Sequence, residues 1–181
     1  MTYACKAVGA QPPSPFVAAW IPRIARTMGA PRAALDLACG RGRHSRLLAR
    51  HGFDVYAVDI DLGRIRSLRS ASRDEGWPVR AWVTDLERAA LPDARFDLVV
   101  GVNYLQHDLW PSLRLAIAPG GFLLYETFTT AQPRHGRGPC SLDHLLRPTE
   151  LRDAALGWPI LYYGEDDREA ARARLVTRRP R

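Results

Sequence analysis

Residues 35–42 read Leu-Asp-Leu-Ala-Cys-Gly-Arg-Gly, and the next apolar run along the chain closes on Asp59. This pattern predicts a strand, a glycine turn, a helix and a second strand that ends in a carboxylate. Glycines let a ligand contact the main chain closely, and the first turn of the following helix has free N–H groups aimed at the same point. A carboxylate at the end of the second strand can accept hydrogen bonds from a ribose diol. The stretch therefore indicates the nucleotide-binding half of an α/β fold.

The composition is that of one globular domain, which we take to span residues 1–181. Of these residues 46% are hydrophobic and 25% are charged, which is ordinary for a soluble domain of this size. The formal net charge is +7. Lys6 is the only lysine, however, and the arginines are spread along the whole chain, so the charge does not by itself indicate a nucleic-acid partner.

Cysteine usage and hydropathy argue against several classes of protein. The cysteines are Cys5, Cys39 and Cys140, and no CxxC occurs, so neither a disulfide framework nor a zinc site is indicated. The N-terminus lacks the apolar run of a signal peptide. No window approaches the roughly 18 apolar residues of a membrane span. We therefore expect a soluble, cytoplasmic protein without a metal site.

Apolar periodicity and turn residues divide the chain into alternating strands and helices. Strands are predicted at residues 33–38, 53–59, 79–84, 96–102, 122–128, 160–164 and 174–177. Helices are predicted at residues 14–28, 43–51, 61–76, 108–119 and 148–156. In the first helix, Phe16, Trp20, Ile24 and Met28 are expected to share a face, and Pro22 to kink or split the helix. Asp61 and Asp108 are expected to cap the helices that follow them.

This order predicts a Rossmann-like, doubly wound α/β fold. Its seven-stranded sheet is expected to be mostly parallel and to end in an antiparallel hairpin joined through the acidic turn at residues 165–167. The core is assigned to residues 33–178. A leader and helix at residues 1–32 are expected to form a lid, and the polar segment 129–147 to form a substrate loop. Ligands are expected at the carboxyl ends of the strands, where the strand order reverses.

Two nucleotide-binding patterns compete for the glycine turn. The dinucleotide pattern G-x-G-x-x-G/A matches weakly, because Ser45 stands where the third glycine or alanine belongs. The pattern D/E-x-G-x-G-x-G matches better, with Asp36 as the acid, Ala38 in place of the first glycine, and Gly40 and Gly42 in the other two positions.

Further landmarks follow in the order that the second pattern requires. Asp59 lies 17 residues after Gly42, Asp85 follows the third strand, and Pro119-Gly120-Gly121 precede the fifth. Residues 35–128 therefore resemble a class I S-adenosylmethionine-dependent methyltransferase. Segments 36–49, 103–105, 120–128 and 145–151 are similar in particular to the small tellurite-resistance-type bacterial methyltransferases. The chain departs from these enzymes at Ala38, at residues 106–107 and at residues 135–141. Because the last two departures lie where the substrate should bind, the substrate does not carry over.

The resemblance implies S-adenosylmethionine as the cofactor and assigns residues to it. Gly40 and Gly42 are expected to contact the methionine part, Asp59 the ribose, and Asp85 with the backbone N–H of Leu86 the adenine. Asp36 is expected either to orient the glycine loop or to meet the amino group of the methionine. The full set of expected cofactor residues is Asp36, Ala38, Cys39, Gly40, Gly42, His44, Asp59, Ile60, Asp85, Leu86 and Asn103.

Three residues are candidates for the methyl-transfer step. Tyr104 follows the fourth strand, where class I enzymes place cofactor and substrate contacts, and His107 lies three residues further on. Glu126 lies near the end of the fifth strand, where burial of a carboxylate requires a partner, either a substrate or an arginine. A soft nucleophile needs little help from a base. For an oxygen or nitrogen nucleophile that needs a base, His107 and Glu126 are the candidates.

The leading hypothesis is methyl transfer to a small-molecule, metalloid or thiol-type acceptor by in-line displacement, in a monomer or homodimer. An RNA or DNA methyltransferase is an alternative, although Asn103-Tyr104 lacks the prolines of the Asn/Asp-Pro-Pro-Tyr/Phe turn of amino-directed enzymes. A non-catalytic cofactor-binding module and a nicotinamide oxidoreductase are further alternatives.

Overall fold

A computed structural model describes residues 11–30 and 32–181, so the first ten residues of the predicted leader lie outside it. The strands are β1 (Ala33–Leu37), β2 (Asp54–Asp59), β3 (Arg80–Val83), β4 (Phe96–Val102), β5 (Ile117–Phe128), β6 (Ile160–Asp166) and β7 (Arg172–Arg178). The helices are α1 (Pro15–Thr27), α2 (Arg43–Arg50), α3 (Leu62–Glu75), α4 (Trp110–Ala116) and α5 (Glu150–Asp153).

The strands form one seven-stranded sheet in the order β3-β2-β1-β4-β5-β7-β6. The pairs among β1 to β5 are parallel, and β7 runs antiparallel to both β5 and β6. This confirms the predicted doubly wound, mostly parallel sheet with a C-terminal antiparallel hairpin. The strand order reverses between β1 and β4, so a ligand cleft is expected at their carboxyl ends.

The central strands are buried on both faces, as their continuous apolar sequences require. On β4, Leu98 and Val100 pack with α1 and α2, whereas Val99 packs with the side chains of α4. Helix α1 is unbroken at Pro22, so the expected split does not occur. Its buried residues are Val17, Ile21, Ile24 and Ala25.

The predicted apolar face of α1 is therefore rotated by about one residue. Phe16 and Trp20 are only half-buried, and both stack against Tyr162 of β6. Aromatic rings at the edge of a helix gain from such a partner without full burial.

The boundary between α4 and β5 differs from the sequence prediction. The helix ends at Ala116, and Ile117 already pairs with Phe96 in the sheet. The register then shifts before Leu98 pairs with Phe122, and Gly120 has a φ of 79°. The Pro-Gly-Gly segment is thus an irregularity within the strand rather than the end of a helix.

Three other boundaries were also predicted wrongly. Asp108 does not cap a helix, because residues 107–109 form a short 3₁₀ turn and Leu109 is the N-cap of α4. Glu165 and Asp166 continue β6 rather than form a turn, since they pair with Ala173 and Arg172. Helix α5 is only four residues long. Asp61, in contrast, accepts from the N–H groups of Gly63 and Arg64 and caps α3 as predicted.

One close contact between β4 and β5 positions the loop that follows β4. Gly101 pairs with Tyr125, and a Cβ built at Gly101 would lie 2.2 Å from Cε2 of the Tyr125 ring. The hydroxyl of this buried tyrosine donates to the carbonyl oxygen of Tyr104 at 2.9 Å. The absent side chain at Gly101 therefore lets Tyr125 fix the backbone beyond the strand.

We predict that Gly101→Ala lowers the free energy of unfolding by about 2 kcal/mol or more, because the ring of Tyr125 cannot yield within a packed core. Gly29→Ala is the matched control, since a Cβ there meets nothing within 4 Å. That control should stay within about 0.5 kcal/mol of the parent protein. Urea unfolding of both variants measures the difference, and equal effects would contradict the role of the contact.

Candidate active site

The glycine loop between β1 and α2 has the left-handed backbone that its sequence motif requires. Ala38, Gly40 and Gly42 have φ values of 47°, 59° and 83°. Ala38 thus adopts, at some cost, the conformation that a glycine adopts freely at the same motif position. A Cβ built at Gly40 meets nothing within 4 Å. The loop therefore leaves open space above its backbone at Gly40.

Asp36 lies beneath this loop rather than in contact with the space above it. Its side chain is buried, and the Oδ2 atom accepts from the Ser45 hydroxyl at 2.6 Å. It also accepts from the backbone N–H of Ser45, in the first turn of α2. Burial raises the pKa of Asp36 to about 7, because its effect is larger than that of these hydrogen bonds, which lower the pKa. Two roles were expected for Asp36, and its position fits the one in which it orients the glycine loop.

Asp59 joins the end of β2 to the same loop. Its Oδ2 atom accepts from the N–H of Gly40 at 2.8 Å, and Oδ1 accepts from the N–H of Asp61 at 2.9 Å. The guanidinium of Arg64 lies 3.8 Å from Oδ2. Each carboxylate oxygen has a second lone pair, so Asp59 can hold the loop and still accept from hydroxyl groups of a ligand.

A cleft with a volume of about 860 Å³ opens at the carboxyl ends of β1, β2 and β4. Most of the expected cofactor residues line it, and so does Tyr104. The expected residues in its wall are Ala38, Cys39, Gly40, Gly42, His44, Asp59, Ile60, Asp85, Leu86 and Asn103. Among the described residues, the wall does not include Asp36, His107 or Glu126.

One end of the cleft combines an apolar surface with hydrogen-bonding groups. Ile60 is 67% exposed, whereas Leu86 is buried. Asp85 follows β3, and its Oδ1 atom accepts from the N–H of Glu87 at 3.0 Å. An apolar face beside an oriented acid is the type of surface that fits a purine ring and its amino group.

The segment before α1 closes over the opposite end. Gln11, Pro12 and Pro13 line the cleft. The N–H of Ser14 donates to Nε2 of His44 at 3.1 Å. Burial, and secondarily the charge of Arg43, lower the pKa of His44 to about 3, so the ring is neutral at pH 7 and accepts at Nε2. His44 therefore anchors the N-terminal segment to α2.

Glu126 is paired with arginines. An arginine was one of the two partners, with a substrate as the other, that the burial of Glu126 led us to expect. Its side chain is 5% exposed and lies 3.2 Å from Arg174 and 3.6 Å from Arg172. The hydroxyl of Ser14 donates to its other oxygen. Its backbone carbonyl accepts from the N–H of Asn103 at 2.9 Å. The residue thus ties the N-terminal segment, β4 and β7 together.

The segment after β4 presents Asn103 and Tyr104 to the cleft. Asn103 has a φ of 57°, and its side-chain oxygen accepts from Arg172 at 2.6 Å. The Tyr104 hydroxyl donates to Gln106 at 2.8 Å. Burial, followed by the charges of Glu87 and Asp85, raises the pKa of Tyr104 to about 12, so this phenol is neutral at pH 7.

His107 pairs with a residue that the sequence did not single out. Its Nδ1 atom lies 2.5 Å from Oε1 of Glu150, and the other oxygen of Glu150 accepts from the N–H of Arg147 at 2.9 Å. The segment 129–147 is folded back on itself and on β7. Gln132, which is buried, donates to the carbonyl of Arg137 and accepts from the N–H of Ala171. Among the described residues, no side chain of this segment lines the cleft.

Sequence reasoning therefore missed Ser14, Glu150, Arg172 and Arg174. No local signal marked the two arginines among the many others, because their role depends on the antiparallel pairing of β7 with β5. The requirement that a buried Glu126 be paired was the only signal that could have found them.

The raised pKa of Asp36 predicts a pH dependence of stability. In the folded protein Asp36 keeps its proton up to about pH 7, whereas in the unfolded chain it releases the proton above pH 3.8. The stabilisation that this difference gives the folded state is therefore complete below about pH 4 and is lost as the pH rises through 7. From pH 5 to pH 8 the unfolding free energy of the parent protein should fall, relative to Asp36→Asn, by roughly 2 to 3 kcal/mol.

Urea unfolding across this pH range measures the difference between the two proteins. Asp93→Asn, at an exposed position, is the control and should run parallel to the parent protein. A constant difference between the parent protein and Asp36→Asn would show that Asp36 is ionised throughout.

The described helices are all too short or too polar to cross a membrane. Within residues 11–30 and 32–181, His, Cys, Asp and Glu side chains form no group of three that could hold a metal ion.

Comparison with known proteins identifies the family. The family model described as "Methyltransferase domain" matches residues 34–119. A Mycobacterium tuberculosis protein described as an uncharacterized methyltransferase is 34% identical over 139 residues, which cover 71% of this chain and 70% of that protein. A ubiquinone biosynthesis O-methyltransferase of a Methylobacterium species is 33% identical over 98 residues, or 51% of this chain and 39% of the relative.

Solved structures share the fold at low sequence identity. TehB from Haemophilus influenzae superposes with a TM-score of 0.73 at 20% identity, and the match covers 88% of this chain and 61% of that one. An S-adenosylmethionine-dependent methyltransferase from Mesorhizobium loti superposes with a TM-score of 0.70 at 20% identity, covering 90% and 98%. The motifs, the sheet order and these relatives agree, and the chain belongs to the class I methyltransferases that use S-adenosylmethionine.

Proposed function

We propose that this methyltransferase acts on a small-molecule acceptor whose reacting atom is soft, of the thiol or metalloid type. The observation that carries the proposal is the chemistry around Tyr104. Tyr104 is a neutral phenol in the cleft wall, whereas His107 and Glu126, the two candidate bases, do not line the cleft. Glu126 is instead held by Ser14 and two arginines. A nucleophile that needs little help from a base suits such a site.

The residues of the cleft fit S-adenosylmethionine. The volume of about 860 Å³ is within the range of small-molecule sites. The open space at Gly40, where a Cβ would meet nothing, permits close approach to the main chain. Asp59 retains lone pairs for the ribose, and Ile60 with Asp85 offers a surface for the adenine. We assign the methionine part to the glycine loop, beside His44 and Asn103.

When bound, S-adenosylmethionine supplies a methyl group on a positively charged sulfur, and a new bond from the acceptor forms to that carbon as the carbon–sulfur bond breaks. The protein's part is alignment and the exclusion of water. Tyr104 is fixed through its carbonyl by Tyr125 and through its hydroxyl by Gln106, so it can serve as a rigid wall beside the acceptor. We assign the segment before α1 to the lid.

This assignment changes the roles first considered for two of the three candidate catalytic residues. Tyr104 keeps its place beside the reacting atoms. Glu126 becomes a positioning residue that holds Ser14 of the lid, and His107 becomes a structural partner of Glu150. The metalloid option is supported by the resemblance of residues 36–49 and 145–151 to the tellurite-resistance-type enzymes.

Cofactor binding distinguishes the two neighbouring aspartates at the start of α3. Asp59→Ala should weaken the binding of S-adenosylhomocysteine by about tenfold or more, because hydrogen bonds to a carboxylate are lost. Asp61→Ala should leave the affinity within about threefold while lowering the urea concentration at which the protein unfolds, since Asp61 is only the helix cap. Isothermal titration calorimetry measures both affinities. If the parent protein does not bind, or if the two variants bind alike, the assignment is wrong.

Activity of a His107 variant tests the absence of base catalysis. His107→Ala should lower kcat with a thiol acceptor by less than about threefold, because a general base would contribute about a hundredfold or more. The pH dependence of the rate should follow the ionisation of the acceptor thiol, tested with two thiols of different pKa. A hundredfold loss, or a pH profile that is the same for both thiols, would instead identify His107 as the base.

A further inference from the structure

Arg172 occupies a fixed position beside the end of the cleft that we assign to the acceptor, and the sequence motifs give it no role. It is the first residue of β7 and pairs with Phe128 at the end of β5. Its guanidinium carbon lies 4.1 Å from the centroid of the Phe128 ring, and one nitrogen donates to the side chain of Asn103 at 2.6 Å. Asn103 itself lines the cleft. The guanidinium is therefore held rigidly beside the cleft wall, and the Arg172 side chain remains 21% exposed.

A second arginine approaches the same place from the other side. Arg43, in the first turn of α2, lines the cleft and donates to the carbonyl oxygen of Pro12 at 3.3 Å. Ser14 links the two arginines. Its N–H donates to His44, which follows Arg43 in α2, and its hydroxyl donates to Glu126, which lies 3.6 Å from Arg172. Arg43 and Arg172 therefore belong to one region of the structure, beside the segment that precedes α1.

The charges around this point do not balance. Among the described residues, the carboxylate that lies within 3.6 Å of both Arg172 and Arg174 is Glu126, so one negative charge faces two positive ones. His44 is neutral. Asp166 lies 3.9 Å from Arg174 but is bound more closely, at 3.0 Å, by Arg168. The half-buried cluster therefore has an excess of positive charge, which is unfavourable until an anion approaches.

We propose that Arg172 and Arg43 form a subsite for an anionic group of the methyl acceptor, so that the substrate is an acid whose carboxylate or other oxyanion lies apart from its reacting atom. Guanidinium groups bind such anions through paired, charge-assisted hydrogen bonds. The rigid placement of Arg172 by Phe128 and Asn103 lowers the entropic cost of that contact. The inference rests on the proposed function and adds the substrate class.

The test uses the full-length protein saturated with S-adenosylhomocysteine and product analogues as probes. Calorimetry compares 3-(methylthio)propionate and 2-(methylthio)ethanesulfonate with neutral 2-(methylthio)ethanol. The parent protein should bind at least one of the anions about tenfold or more tightly than the alcohol. Comparison of the two anions then shows whether the subsite prefers a carboxylate or a sulfonate.

Variants at both ends of β7 show whether the preference depends on Arg172. Arg172→Met should bind all three probes alike, and Arg172→Lys should keep part of the preference because it keeps the charge. Arg178→Met is the control, since Arg178 donates to the carbonyl of Gly120 at the far end of the strand, and it should retain the full preference. In turnover, Arg172→Met should raise KM for 3-mercaptopropionate by about tenfold and leave KM for 2-mercaptoethanol within about threefold.

Two failures are distinguishable. If the parent protein does not bind S-adenosylhomocysteine, the proposed function fails and the subsite with it. If S-adenosylhomocysteine binds equally to the parent protein and Arg172→Met, but neither anion is preferred over the alcohol, the anionic subsite alone is overturned. A preference that survives in Arg172→Met overturns it as well.

Discussion

The end of the cleft that we assign to the acceptor depends on one buried carboxylate, that of Glu126. A buried charge is tolerated only where oppositely charged and hydrogen-bonding groups surround it. Here Ser14 approaches from the segment before α1, and Arg172 and Arg174 from β7. Because each of these segments must come to Glu126, the carboxylate fixes the segment before α1 and the C-terminal hairpin relative to the central strands. The main chain of the same residue holds Asn103, so the cleft wall is set by the same group.

The opposite end of the cleft is organised by the backbone rather than by charge. Asp59 accepts from Gly40 and Asp61, and so joins the ends of β1 and β2. Beneath them, Asp36 and His44 are buried with displaced pKa values, raised for the acid and lowered for the base. Both displacements favour the neutral forms, because burial disfavours charge in each case.

Local signals predicted the parts of the structure that local physics controls. The glycine turn, the cap at Asp61 and the carboxylate at Asp59 each follow from backbone conformation or from hydrogen bonds within a few residues. Errors arose where tertiary pairing overrode a local preference. Ile117 continues a helical pattern in the sequence, yet it joins β5 because Phe96 is available as its partner. Asp108 is a good capping residue, but the turn at residues 107–109 moves it away from the first helical N–H groups.

The sequence by itself determined the fold class and most of the cleft wall, and its resemblance to class I methyltransferases indicated the cofactor, because the motif residues lie close together in the chain at the ends of parallel strands. The tertiary structure decided what surrounds the proposed acceptor site. Ser14 lies 112 positions before Glu126 in the sequence, and Asn103 lies 69 before Arg172. Contacts at such separations follow from strand pairing and from the burial of a charge, and neither has a signature in the residues close by in the chain.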